Sequence, residues 1–224
     1  MRAGNGVRRL PCIVIGLVGY YPFVRGLPIG PELKEGLQDL PWPGCEVEVK
    51  EMNWGPIAIV QDFQAARNPA DRVVLAAAVD RGLAEGTVSC RRWMGGKLDA
   101  LALQHRVFEA VTGVISLDNL LVIGEHFGIW PNEVITVEVQ FDENAFGNLV
   151  LSELHAGRQG KSSAVVGGTP MTPEKRKIMQ RMLALLHRAA TKGEAGLPEL
   201  HSLSMDRLTT PARVCHNRFV GALH

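Results

Sequence analysis

Aromatic residues are scarce. They make up 6% of the 224-residue chain and do not interleave with a basic patch, which argues against a nucleic-acid surface. Excess charge of either sign is also missing. Lys and Arg number 24 against 23 Asp and Glu, a formal net charge of +1, so there is neither a global basic field nor an acidic tail. The four cysteines, Cys12, Cys45, Cys90 and Cys215, are scattered, and no Cys/His cluster has structural-zinc spacing. They read as reduced thiols of a cytoplasmic protein. Cys215-His216 is adjacent in sequence only, which is no catalytic arrangement. No apolar run approaches the roughly 20 residues of a membrane span. The N-terminal apolar run is broken by Gly16, Gly19, Pro22 and Arg25 and lacks a small-x-small cleavage site, so it reads as a first strand and not as a signal peptide. Neither G-x-G-x-x-G nor a P-loop occurs among Gly16, Gly19, Gly26 and Gly30, and Gly160-Lys161-Ser162 lacks the upstream glycine. No G-x-S-x-G elbow is present, and Ser116 and Ser152 have no identifiable base.

What is present is a globular composition, 46% hydrophobic and 21% charged, of a size suited to one α/β domain with or without a tail. Val73 to Gly82, VVLAAAVDRG, is apolar on both faces and too short for a helix. It predicts a strand in the middle of a sheet. In alternating strand–helix folds chemistry collects just past the carboxyl ends of such strands, and here that place is occupied by alanines.

Before this strand, residues 1–11 read as a flexible arm and Cys12 to Val18 as a buried strand. A Gly/Pro-rich loop then leads to a short helix opened by Pro31. EVEVKEM, 46–52, alternates as an edge strand with one wet face. Residues 55–66 have helical spacing of Ile57, Val60, Phe63 and Ala66. After it come a strand over 86–93, helices over 98–110 and 117–127, and an alternating strand, EVITVEVQ, over 133–140. The order predicts a three-layer α/β/α fold with a mostly parallel five-stranded sheet.

Residues 156–171 read as a Gly/Ser-rich loop. Thr172, Pro173 and Glu174 then open an amphipathic helix over 172–192, expected to pack on the domain. Its apolar face carries Ile178, Met182, Leu185, Leu186 and Ala189. Its basic face carries Lys175, Arg176, Lys177, Arg181 and Arg188, and reads as solvated or as a docking surface. Residues 193–224 have no sustained periodicity and predict a tail that is disordered or ordered only by a partner.

Several segments, taken in order over residues 12–155, resemble one family, the maturation endopeptidases of nickel-iron hydrogenases. That family's glycine loop, G-x-G-N…D-[DE]-G-x-G-P, is matched by VGYYPFVRGLPIGP, 18–31, at Pro22-Phe23 and Ile29-Gly30-Pro31. Its V-V-x-x-D-A-x-D-x-G strand and following P-G-T-V are matched by VVLAAAVDRG and Glu85-Gly86-Thr87-Val88. Its D-L-L…G-x-x-P…V-x-V-x-G-x-E segment is matched by Asn119-Leu120-Leu121, Gly128, Pro131 and Val134 to Val139, and its F-G-x-x-L-S by Phe146 to Ser152. The resemblance implies an enzyme that clips a C-terminal peptide from a hydrogenase large subunit once nickel is in place. It also implies three nickel-reading side chains: a carboxylate in the glycine loop, the first aspartate of D-A-x-D and a histidine before D-L-L. Carboxylate and imidazole suit such a site.

At those positions this chain carries Leu27 beside Gly26, Ala77, and Gly113; of the two aspartates only the second, Asp80, is kept. A methyl group or a hydrogen cannot ligate nickel. The resemblance therefore implies a catalytically degenerate relative that grips a hydrogenase large subunit, or a related metalloenzyme subunit, as an assembly or accessory factor, with no cofactor of its own. The alternative is an active endopeptidase that meets nickel only transiently at a rebuilt site of Glu32, Asp80 and His126, beside Glu125. Each of these residues also has a structural explanation: helix ends favour Glu32 and His126, and turns favour Asp80. A small-molecule binder sharing the layout is a third reading. Tyr20, Tyr21 and Phe23, with Trp54, are expected either to form an apolar lip for a partner peptide at the carboxyl edge or to be buried in the core.

Overall fold

The computed structural model describes residues 9–19, 29–111, 116–141, 171–197 and 199–208. Six strands form one sheet: β1 (Cys12–Val18), β2 (Glu46–Met52), β3 (Arg72–Val79), β4 (Val88–Trp93), β5 (Val134–Gln140) and β6 (Leu200–Leu203). Their spatial order is β2-β1-β3-β5-β4-β6. The first four in that order are mutually parallel, β4 runs antiparallel to β5, and β6 runs parallel to β4. The Val73–Gly82 stretch thus supplies a central strand and EVEVKEM an edge strand, as their patterning predicts.

Among the described residues six helices accompany the sheet: α1 (Pro31–Gln38), α2 (Pro56–Ala65), α3 (Ala100–Val111), α4 (Leu117–His126), α5 (Pro173–Lys192) and α6 (Met205–Leu208). One face of the sheet is covered by α1 and α5 through Leu33, Leu37, Met182 and Leu186, against Ile13, Ile15, Ile135 and Val137. The other is covered by α2 and α4 through Ile59, Leu117, Leu120 and Leu121, against Val14, Val73, Leu75 and Ala77. Three layers result because a sheet buried on both faces needs helices on both. Gly16 makes room for close side-chain packing on β1. A Cβ there would lie 2.5 Å from Met52 Sδ and 2.8 Å from a Leu75 methyl. α5 starts as its sequence predicts, with Thr172 Oγ1 accepting from the Lys175 amide.

One expectation is corrected. The sheet has six strands and not five, and the extra strand comes from the segment read as a tail. After α5 the chain makes a 3-10 turn at Gly193–Gly196. Arg72 fixes that turn: its Nη1 donates to the Ala190 carbonyl, its Nε donates to Glu133, and Glu133 Oε1 accepts from the Glu194 amide. β6 then pairs with β4 from Cys90–Leu200 to Trp93–Leu203, and Leu203, Met205 and Leu208 are buried. A four-residue strand has too few positions to show a period, and its stability comes from the strand beside it. Residues 209–224, the 1–8 segment and 142–170 lie outside the described residues.

The alternating strand β5 is present as its pattern predicts, and all seven of its residues are buried. Thr136, Glu138 and Gln140 point into the layer beneath α4, so the polar positions are internal.

Candidate functional site

The carboxyl ends of β1, β2, β3 and β5 form one edge, and β4 starts from it. The turn after β3 is set locally. Asp80 Oδ1 accepts from the Gly82 amide at 2.9 Å, and Gly82 takes a φ of +69°, a conformation that suits glycine. The same oxygen accepts from Gln140 Nε2 at 2.8 Å, while Gln140 Oε1 accepts from the Arg81 amide at 2.8 Å. The Gly82 amide, then Gln140, hold the exposed Asp80 carboxyl below its ordinary range.

This turn aims Arg81 back under α4. Its Nη1 and Nη2 clamp Asp118 Oδ2 and Oδ1 at 2.8 and 2.6 Å, and its Nε donates to Glu138 Oε2 at 2.9 Å. Asp118 stands in the first turn of α4, where Ser116 Oγ caps the Asn119 amide. Glu138 is 0% exposed. It also accepts from Arg91 Nε at 3.2 Å and from Thr136 Oγ1 at 2.8 Å. Burial alone would lower the Arg81 pKa, but hydrogen bonds to Asp118 and Glu138 outweigh it and raise it above the ordinary value. Two guanidinium groups and two carboxylates thus balance, and every oxygen of both carboxylates has a donor. Arg81, Arg91, Asp118, Thr136, Glu138 and Gln140 were not foreseen as a set. The available signal was the polar half of EVITVEVQ.

Ala77 is 1% exposed and stands directly beside Glu138 in the β3–β5 register. Partners across parallel strands share a face, so the position matching the family's first aspartate adjoins the buried carboxylate. Asn119, which stands where that motif has its D-L-L aspartate, is 1% exposed, and its side-chain amide makes no hydrogen bond among the described residues.

The proposed rebuilt metal set of Glu32, Asp80 and His126 does not come together. Glu32 opens α1 on the face shared with α5. His126 closes α4, a helix about 15 Å long by its ten residues, and Asp118 ties the other end of that helix to the carboxyl edge. Glu125 accepts from Trp93 Nε1 at 2.7 Å, and Trp93 ends the antiparallel β4 at the amino edge. His126 is exposed there, edge-on to Phe127. Helical spacing says nothing about which edge of a sheet a helix end reaches, so only the topology separates His126 from Asp80. Among the described residues no three His, Cys, Asp or Glu side chains converge as a metal site. Asp118 and Glu138 are already engaged by arginines, and Asp80 Oδ1 by the Gly82 amide and Gln140, so these carboxylates do not fit a nickel ion. Leu27 and Gly113 lie outside the described residues.

Of the aromatic lip, Trp54 follows β2 at the carboxyl edge and is 62% exposed, not buried in the core. Tyr20, Tyr21 and Phe23 lie outside the described residues. Cys12, Cys45 and Cys90 are free thiols. Burial pushes the Cys90 thiol up to about 11. No helix among the described residues is long and apolar enough to cross a membrane.

No model of a known protein family matches the chain, and no curated protein does. Among solved structures, the endopeptidase HycI from Escherichia coli is similar at 18% identity and a TM-score of 0.45, over 87% of this chain and 98% of that one. A further endopeptidase from Escherichia coli is similar at 16% identity and 0.45, over 80% and 91%. The hydrogenase 2 maturation peptidase from Thaumarchaeota archaeon SCGC_AB-539-E09 is similar at 15% identity and 0.32, over 68% and 99%. Identities and superpositions at this level leave activity to be argued from this chain's own residues. In these comparisons the chain is similar to solved endopeptidases, one of them a hydrogenase maturation peptidase.

Proposed function

We propose that this chain is a hydrogenase maturation protease-like protein that has lost nickel-reading chemistry and binds a nickel-iron hydrogenase large subunit as an assembly or accessory factor. The ordered motifs over residues 12–155 support the family part of this reading. One observation carries the degenerate part: Ala77 stands at the motif's first aspartate position, and its register neighbour Glu138 is saturated by Arg81, Arg91 and Thr136. A carboxylate held by two guanidinium groups would have to give up those bonds to meet a cation. The exposed Trp54 at the same edge supports a protein partner, because exposed aromatics anchor interfaces.

The test is affinity capture of the tagged chain from its native cell, with intact-mass analysis of the proteins that co-purify. A large subunit that retains its C-terminal extension is the expected result for an assembly factor, and a trimmed one is expected for an accessory component. Recovery of no hydrogenase subunit overturns the reading. A second assay presents the purified chain with a nickel-loaded precursor. No cleavage is expected. Cleavage at an ordinary enzymatic rate overturns the degenerate part in favour of the active endopeptidase; loss of that cleavage in Asp80→Ala and Glu32→Ala variants would then assign it to these two residues.

A further inference from the structure

A cavity of about 700 Å³ opens between α5, the β4–β6 edge and the turn before β4. Its apolar floor is formed by Leu83, Leu185 and Leu197. Its charge is one-sided. Arg181, Arg188, Arg207 and His201 line it together with Arg91, and Glu199 is the one carboxylate among its lining residues. Arg91 is committed to Glu138, and Arg207 Nη1 lies 3.4 Å from the Ser202 carbonyl. Among the described residues Arg181 and Arg188 have no acidic partner. They stand seven residues apart on α5, about 10 Å along its axis, with Leu185 between them on the cavity side.

The volume lies in the range of small-molecule sites. Guanidinium groups that lack an internal carboxylate offer planar, paired donors suited to an external carboxylate or phosphate. We propose that this cavity binds a small organic anion, its apolar body on Leu185 and Leu197 and its carboxylate or phosphate held by Arg181 and Arg188. The site is independent of the peptidase-like reading, since Arg181 and Arg188, which would hold the anion, play no part in the Ala77, Glu138 and Trp54 argument.

The test is calorimetric titration of the full chain with sebacate as the carboxylate probe, phenyl phosphate as the phosphate probe and decanediol as the uncharged control. Binding of at least one anion with a Kd of about 1 mM or tighter is expected, and the better of the two identifies the anionic group preferred. An Arg181→Gln, Arg188→Gln double variant should weaken that binding about tenfold or more, with its melting curve unchanged because both side chains are exposed. An Arg176→Gln, Lys177→Gln double variant removes the same charge from α5 outside the cavity and should bind as the parent chain does. The proposal is overturned if neither anion binds, if decanediol binds equally well, or if the double variant binds as the parent does.

Discussion

The two faces of β5 are equally buried and chemically opposite. Ile135, Val137 and Val139, each 0% exposed, enter the apolar layer under α1 and α5. Thr136, Glu138 and Gln140 enter the layer under α4 and are satisfied by Arg81, Arg91 and the Asp80 turn. The difference teaches where the fold tolerates change. An apolar face loses stability in proportion to the volume removed. A buried ionic face fails sharply when one member is lost, because the remaining charges stay in place without a partner.

The largest expected effect breaks this contrast directly. Glu138→Ala should destabilise the chain by about 3–5 kcal/mol, since it leaves Arg91 without a carboxylate and Arg81 with Asp118 alone, whereas Val137→Ala one residue away should cost about 2 kcal/mol. Chemical denaturation of both variants measures the pair; equal losses would mean that the charge network is not what holds this face. Replacing Glu138 by Leu and Arg81 by Met together should cost less than Glu138→Ala alone, because it removes a charge of each sign.

A smaller effect sharpens the comparison on the apolar side. Burial pushes the folded Cys90 thiol up to about 11, above its ordinary value of 9.0. A folded pKa raised above the unfolded one means that the native state holds the proton longer. Its contribution to stability is therefore complete below pH 9.0, falls as the pH rises through the window between these values, and is gone above about 11. Denaturation curves across this window should be flatter for Cys90→Ala than for the parent chain.

The smallest effect on stability is expected at the exposed rim. Trp54→Ala should change stability by less than about 0.5 kcal/mol. It should nevertheless weaken capture of a large subunit if the aromatic lip grips it. A variant that melts normally and captures normally would remove Trp54 from the partner surface.

Much of the layout was legible in sequence because it depends on local periods. VVLAAAV is apolar at every position and becomes a central strand. EVEVKEM alternates and becomes an edge. Thr172-Pro173-Glu174 starts a helix where its capping chemistry places one. The site was legible only at single positions. Ala77, read against the resemblance, marks where a ligand is missing, and Asp80 takes up the turn that its residue type favours. Arg81 looked like part of that turn, because nothing in Asp-Arg-Gly shows that its guanidinium will reach Asp118, 37 positions away, and Glu138, 57 positions away.

The sequence by itself determined the alternation of strands and helices, the ends of α1 and α5 and the polarity of each strand position, since these depend on residues within a turn or two of one another. Only the tertiary structure decided that the polar half of β5 lies inside, that Leu200–Leu203 joins the sheet and that His126 and Asp80 stand at opposite edges. Each of these depends on which distant segment supplies the missing hydrogen bond or charge, and a local pattern carries no record of that partner.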